Sequence, residues 1–325
     1  MGRREFIVRR VVQIVILYFV IGSVLFFMFR FAPGDPMSNF IVPGITQEKL
    51  AELRASFGLD EPMYIQYLKW LKNMATFNLG VSYIRGKPVM EVISGRMLNT
   101  ILLMGTSVLL AYLFAVPLGA YMAWNRGTVG EQAGVVLSLI SRSSPVFWVG
   151  LTALWLFAYV FSVFPAGGML SSTASYSTPL AKYLNLDFVY HLILPAFVQA
   201  FYYFSLPALL MRNSMLDVMN EDFVHFADLK GVEDRKVMLW HAARNASLPV
   251  VTAFATGAAY AIGGSVVIET VFVWPGLGRE MVRAILQSDY PVAQGAFLIL
   301  AIFVLVANLL ADIAYGYLDP RVTYD

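Results

Sequence analysis

The stretch Val11–Phe31, VVQIVILYFVIGSVLFFMFRF, decides the class of fold. It is about 20 residues long and mostly apolar, the length an α-helix needs to cross ~30 Å of hydrocarbon. A cleaved signal peptide fits poorly, because the apolar run is too long and no small-residue cleavage site follows it. Working outward, five further segments read the same way: Thr100–Trp124, Ala133–Phe164, Phe188–Met211, Val250–Val273 and Val292–Leu318. The third is long and is expected to tilt or break at Pro145. The fourth carries Pro195 and Pro207, which membrane helices tolerate. Small residues from Ala253 to Ser265 crowd the fifth and allow close helix approach.

The whole composition agrees. Of 325 residues, 58% are hydrophobic and 14% charged, with a mean hydropathy of +0.66. Soluble domains average about 45–50% apolar and about 25% charged, so the chain reads as an all-α polytopic membrane protein with six transmembrane helices. The net charge of +2 points to no nucleic-acid partner. There is no cysteine, which excludes disulfides and thiolate metal sites. With only His191, His225 and His241, a histidine-built metal site is not expected either.

Lys and Arg set the orientation. The side that holds both termini takes Arg3, Arg4, Arg9, Arg10, Arg126, Arg212, Lys230, Arg235, Lys236, Arg244 and Arg321. The short loops opposite take only Lys182, Arg279 and Arg283. Long loops cross largely regardless of charge, so the seven bases of segment 32–99 are set aside and both termini are expected in the cytoplasm. The domain reading is then residues 1–31 as the N-terminal span, 32–99 as an extracytoplasmic cap, 100–318 as the core, with a cytoplasmic loop at 212–249, and 319–325 as a cytoplasmic tail. Within the cap, Thr46 is expected to open a helix through Ser56, stopped by Gly58. Asp60 with Pro62 opens another at Tyr64–Ala75, with Tyr64, Tyr67, Leu68 and Leu71 on one face.

No catalytic constellation is legible. There is no P-loop, no Gly-x-Ser-x-Gly and no His-Glu-x-x-His, and Gly276-Leu277-Gly278 reads as a turn after Pro275. The notable polar stretch is His225–Pro249, HFADLKGVEDRKVMLWHAARNASLP. Asp222–Lys230 fits a helix with Phe223, Phe226 and Ala227 on a stripe; Gly231 supplies a turn; Glu233–Arg244 fits a second helix; Pro249 opens the fifth span. Apolar side chains at helical spacing, with no core of their own in view, suit a groove on another protein.

This stretch resembles the "EAA" loop of ATP-binding-cassette importer permeases, with Gly231 as its glycine and Leu248-Pro249 as its Leu-Pro. His225, Phe226 and Ala227 match one of the three opening positions, and Leu229-Lys230-Gly231 keeps two of the Ala-Lys-Gly usual in the peptide branch. Nearly the whole chain carries the likeness. It runs through Phe31–Pro36 (FAPGDP), Gly58–Pro62 (GLDEP), Pro145–Trp148 (PVFW), His191–Ala196 (HLILPA), Arg212–Leu216 (RNSML) and Leu318–Arg321 (LDPR). The most specific run is Val267–Gly278, VIETVFVWPGLG. The chain is therefore similar to the first permease subunit of the oligopeptide/dipeptide/nickel branch, with the MetI-like transmembrane fold of type I importers.

The resemblance implies a multi-pass subunit of the prokaryotic inner membrane, paired with a second, homologous permease in a heterodimer. Two cytoplasmic ATPase subunits would bind ATP and Mg, and an extracytoplasmic binding protein would deliver solute. This chain would need no cofactor or metal and would hydrolyse nothing. Its coupling helix would carry Phe226, Ala227, Asp228, Leu229, Lys230, Gly231 and Arg235, although exposed charges such as Lys230 and Arg235 are also what a solvated face presents. For the translocation path the candidates are Arg142, Ser143, Tyr202, Tyr260, Glu269 and Trp274. Arg142 either marks a polar cavity, as Ser141, Ser143 and Ser144 suggest, or snorkels to the cytoplasmic side. Glu269 either sits at the outer gate or pairs with Arg279 or Arg283.

Peptides are the expected solute, but the branch also serves oligosaccharides, nickel chelates and glutathione-like compounds. An ion-gradient transporter would place acids mid-span and show inverted repeats; few such acids and no repeat are seen.

Overall fold

The computed structural model describes residues 3–31, 37, 46–172, 176, 178, 180–262 and 264–318, with side chains except at 3–4, 53, 256, 259–262 and 314–318. The expected motif residues 32–36 and 319–321 lie outside this set. The described residues are helical throughout, apart from turns and an isolated bridge between Val81 and Pro88. The chain divides into two units: one comprises the residues up to Thr100 with Pro275–Leu309, the other Ile101–Trp274 with the segment from Leu310.

In the first unit, α1 (Arg3–Phe31) is followed by α2 (Gln47–Ser56) and α3 (Met63–Ala75). The expected signals operate here. Lys49 N–H donates to Thr46 Oγ1, and Gly58 ends the turn at φ +66°. α3 lies along α1, but not by the expected stripe: Tyr64 and Leu68 are exposed, and Tyr67, Trp70 and Met74 face α1. Trp70 Nε1 donates to the Gly22 carbonyl at 3.0 Å, and Tyr18 Oη donates to the Met74 carbonyl at 3.1 Å. A Cβ at Gly22 would sit 2.1 Å from Met74, so only glycine admits this contact unchanged. α3 is apolar on more than one face, so periodicity alone did not choose the buried one.

The amphipathic α12 (Leu277–Leu286) and the start of α13 (Tyr290–Leu318) complete the unit. Buried Glu280 accepts from Arg85 at 2.5 Å and from Arg96 at 3.1 Å. Buried Asp289 accepts from Ser82 Oγ and from the Tyr83 N–H. Leu277 N–H donates to Thr100 Oγ1, and Asn99 Nδ2 to the Pro275 carbonyl.

In the second unit, α4 (Val89–Trp124, entering from the first) packs with α5 (Val129–Ser143) and α7 (Leu186–Val218). Pro117, Pro195 and Pro207 lie inside these helices without ending them. A Cβ at Gly119 would meet the Ala208 carbonyl at 2.5 Å, so α4 and α7 approach backbone to backbone. The expected third span is bent: α5 and the helix after Pro145, α6 (Val146–Ala153) with its π-helical extension Leu154–Val160, meet at 102°. The expected fifth span is divided into α10 (Arg244–Ile262) and α11 (Val266–Val271), with Gly264 at φ +82° between them. Among the described residues, four helices are long and apolar enough to cross a membrane, or five if the bent pair is one span. The fold class is the expected one, with a span count below six by this measure.

Two helix ends differ from expectation. α7 continues through Arg212 to Val218, because Arg212 pairs with Glu131 of α5 and stays in the helix. Pro249 does not open the fifth span but lies inside α10.

Candidate functional site

Two places in the second unit stand out: a helical knob and an arginine-bearing cavity.

The knob begins with α8 (Asp222–Leu229). Its end is a Schellman motif. Gly231 N–H donates to the Asp228 carbonyl at 2.8 Å, Val232 N–H to the Ala227 carbonyl at 3.3 Å, and Gly231 sits at φ +73°. The return path is α9 (Asp234–Lys236), a π-helical turn Val237–Ala243, and α10 without interruption. The knob has a small core after all: Val224, Ala227 and Val237 are buried, with Trp124, Val218 and Val232 against them. Ala227 therefore faces inward rather than out. Phe223, Phe226 and Leu229 point the other way and are 42%, 61% and 82% exposed. Asp228, Lys230 and Arg235 are exposed around them. Three large apolar side chains on a folded knob, left over after its own core is closed, form a surface fit for a partner.

The cavity, of about 550 Å³, lies among α4, α5, α7 and α10. Arg142, at the end of α5, stands over the Tyr202 ring with 4.9 Å from Cζ to the ring centroid. Tyr112, Tyr203, Ser205 and Asn213 add polar atoms to the wall, and Gly257 forms its α10 side. Arg142 thus lines this cavity, with its side chain still exposed. Of the serines expected to make this stretch polar, Ser141 is buried and its Oγ donates to the Ser138 carbonyl of its own helix. Ser143 is exposed and does not line the cavity.

Two family models match this chain. That of the binding-protein-dependent transport system inner membrane component matches residues 115–324. The corresponding N-terminal model matches residues 3–104. This chain belongs to the binding-protein-dependent transport permease family. Among curated relatives, the oligopeptide transport system permease protein AppB of Bacillus subtilis is 38% identical over 320 residues, covering 98% of this chain and 99% of that one. The dipeptide transport system permease protein DppB of Escherichia coli K12 is 33% identical over 335 residues, with 98% and 99% covered. A putative peptide permease protein of Brucella ovis is 38% identical over 301 residues, with 92% of each covered.

The chain is thus a transport permease of an ATP-binding-cassette system rather than an enzyme. In this permease, Glu269 and Trp274 are fully buried. Glu269 belongs to α11, and its carbonyl accepts from Trp274 N–H at 2.8 Å; the indole packs 5.8 Å from Phe188. Between them Val273 adopts φ +54°, a left-handed conformation that a β-branched residue rarely takes. The buried Glu269 and Trp274 do not line the Arg142 cavity. Tyr260 lies on α10 with its side chain outside the described set. Among the described residues no cluster of His, Asp or Glu is placed to hold a metal.

The permease also holds a pair that the sequence reading missed. Glu131 Oε1 accepts from Arg212 Nε at 3.0 Å and also from Nη2, while Glu131 Oε2 accepts from Gly127 N–H. Only the helix start had a local signal: Thr128-x-x-Glu131 is a capping-box spacing and Glu131 N–H does donate to Thr128 Oγ1, whereas Arg212 lies 81 residues away.

Proposed function

We propose that the chain is a permease subunit importing di- or oligopeptides, lying in the prokaryotic inner membrane with both termini cytoplasmic. It pairs with a second homologous permease and receives solute from an extracytoplasmic binding protein. Two ATPase subunits, which bind ATP and Mg, drive it, one of them docking on the Asp222–Leu229 knob. One observation carries the coupling role: Phe223, Phe226 and Leu229 remain exposed on a knob whose own core is already closed by Val224, Ala227 and Val237. An apolar helix face of this size fits a groove. The basic residues Lys230, Arg235 and Lys236 around it support a cytoplasmic setting. The names of the relatives, oligopeptide and dipeptide permeases, support the cargo. Arg142, Tyr202 and the cavity between them form part of the solute path in this reading, with Glu269 and Trp274 in its closed, packed region.

ATP acts as a ligand with different affinity for the two states of the assembly, and the knob moves with the ATPases. The reading is tested with proteoliposomes holding both permeases and the ATPases, with loaded binding protein outside. ATP-dependent uptake of labelled trialanine is expected, strongly reduced when Phe226→Asp is introduced. Uptake by this chain alone on an ion gradient would overturn it.

A further inference from the structure

We propose that Arg142 recognises a carboxylate of the solute inside the permease, so that this subunit itself selects for an anionic group. The inference rests on the import reading above and adds a chemical preference within the membrane domain.

The contrast between arginines carries it. Arg212 is paired with Glu131, and Arg85 and Arg96 share Glu280. Each of these charges has a carboxylate. Arg142 instead lies over the face of Tyr202, and among the described residues no Asp or Glu lines its cavity. A ring face satisfies the flat side of a guanidinium and leaves its in-plane N–H groups unspent. Those groups form the fork that binds a carboxylate through two parallel hydrogen bonds.

Position supports the same assignment. Arg142 follows Glu131 along α5, and Tyr202 precedes Arg212 along α7, so the two contacts fix an antiparallel register. Eleven residues of α-helix place Arg142 about 16 Å from the ion pair, roughly half of a bilayer's hydrocarbon thickness. With the ion pair at the cytoplasmic boundary, as the import reading has it, Arg142 lies within the bilayer, where a charge is costly and belongs where it meets a polar ligand. The cavity's volume, about 550 Å³, is in the range of small-molecule sites. Tyr203 and Ser205, close to Tyr202 on α7, provide neutral polar atoms in the same wall. A cation held by a ring, with neutral neighbours, attracts an anion without a permanent internal rival. A path must also release what it binds, and a single fork suits that.

The chain has no cysteine, so one thiol at Leu206→Cys, an exposed lining position one helical turn from Tyr202 on α7, reports on this cavity alone within the subunit. The complete complex in nanodiscs is treated, at rest and with ATP, with anionic sulfonatoethyl and cationic trimethylammonioethyl methanethiosulfonate. Labelling is read on this subunit. With Arg142 present, the anionic reagent is expected to gain about fivefold over the cationic one, relative to the same ratio in Arg142→Gln, from the local field of one charge. Arg142→Lys keeps most of that gain. Trialanine is expected to slow labelling more than trialanine amide does, and the acid–amide difference disappears in Arg142→Gln. If the ratio and the acid–amide difference are the same in Arg142→Gln, Arg142 only fastens α5 to Tyr202 and the proposal fails. It fails equally if the thiol reacts with neither reagent. Should the glutamine variant not assemble, equal protection by acid and amide in the Arg142 complex overturns the proposal without it. ATP-driven trialanine uptake by the unsubstituted complex is measured alongside. Its absence with the labelling pattern intact defeats the peptide reading and leaves the anion preference standing.

Discussion

Two short amphipathic helices in this chain end up in opposite circumstances. The ten-residue α12 buries Leu277, Met281 and Ala284 within its own unit and ties Glu280 to Arg85 and Arg96. The eight-residue α8 buries only Val224 and Ala227 and leaves Phe223, Phe226 and Leu229 outside. Both have the same kind of pattern. One is consumed by the chain's own packing, and the other is presented. The difference teaches that an amphipathic stripe says a face will be covered, while the tertiary structure says whether the chain itself covers it.

The largest effect should come from the consumed helix. Glu280→Ala leaves two partly buried guanidiniums without their carboxylate. It is expected to destabilise the permease by about 3 kcal/mol, read as a lowered thermal midpoint in nanodiscs. An unchanged midpoint would show that α12 is held by its apolar face alone. Next comes the presented helix. Phe226→Asp should leave the midpoint in place and weaken ATPase binding by about 2 kcal/mol, roughly 30-fold in Kd, in a titration of labelled ATPase. If stability falls and affinity does not, the two helices are alike after all.

Gly231→Val should act on both readouts. No atom lies within 4 Å of a Cβ placed there, so the penalty comes from φ +73° alone. About 1–2 kcal/mol is expected, as local opening of the knob in hydrogen exchange at Ala227–Val232, with weaker ATPase binding. The smallest effect sharpens the comparison most. Leu286 on α12 and Leu229 on α8 are 80% and 82% exposed. Changing either to Ser should shift stability by less than about 0.5 kcal/mol. Only Leu229→Ser should alter ATPase affinity.

The sequence made the all-helical, membrane-spanning class, the Thr46–Ser56 helix, the break at Pro145 and the glycine turn of the knob legible, because each has a local cause, while the count of six spans was not reproduced. Apolar length, a cap, a proline and a positive φ are all readable within a few residues. What stayed hidden depends on partners far along the chain. The face of α3 was misjudged because α1 chooses it through Gly22 and Tyr18. Glu131 with Arg212, Glu280 with Arg85, and Asp289 with Ser82 join residues that no short window contains together. The division of the fifth span was masked by its run of small residues, which reads equally well as close packing or as a break. At the candidate site, Arg142 was legible as a charge out of place, whereas its pairing with Tyr202 needed the antiparallel α5 and α7.

The uninterrupted passage from α9 through the π-helical turn into α10 has a mechanical meaning. Asp234 to Ile262 is one continuous helical segment, with the knob's glycine turn at one end and Gly257 of the cavity wall near the other. At ~1.5 Å per residue, about 35 Å separates Glu233 from Gly257. A tilt of about ten degrees around the knob end therefore sweeps the cavity wall by roughly 6 Å, about the width of a peptide backbone with small side chains. Pro249 sits within this arm rather than at its end, so a pivot placed there would shorten the stroke.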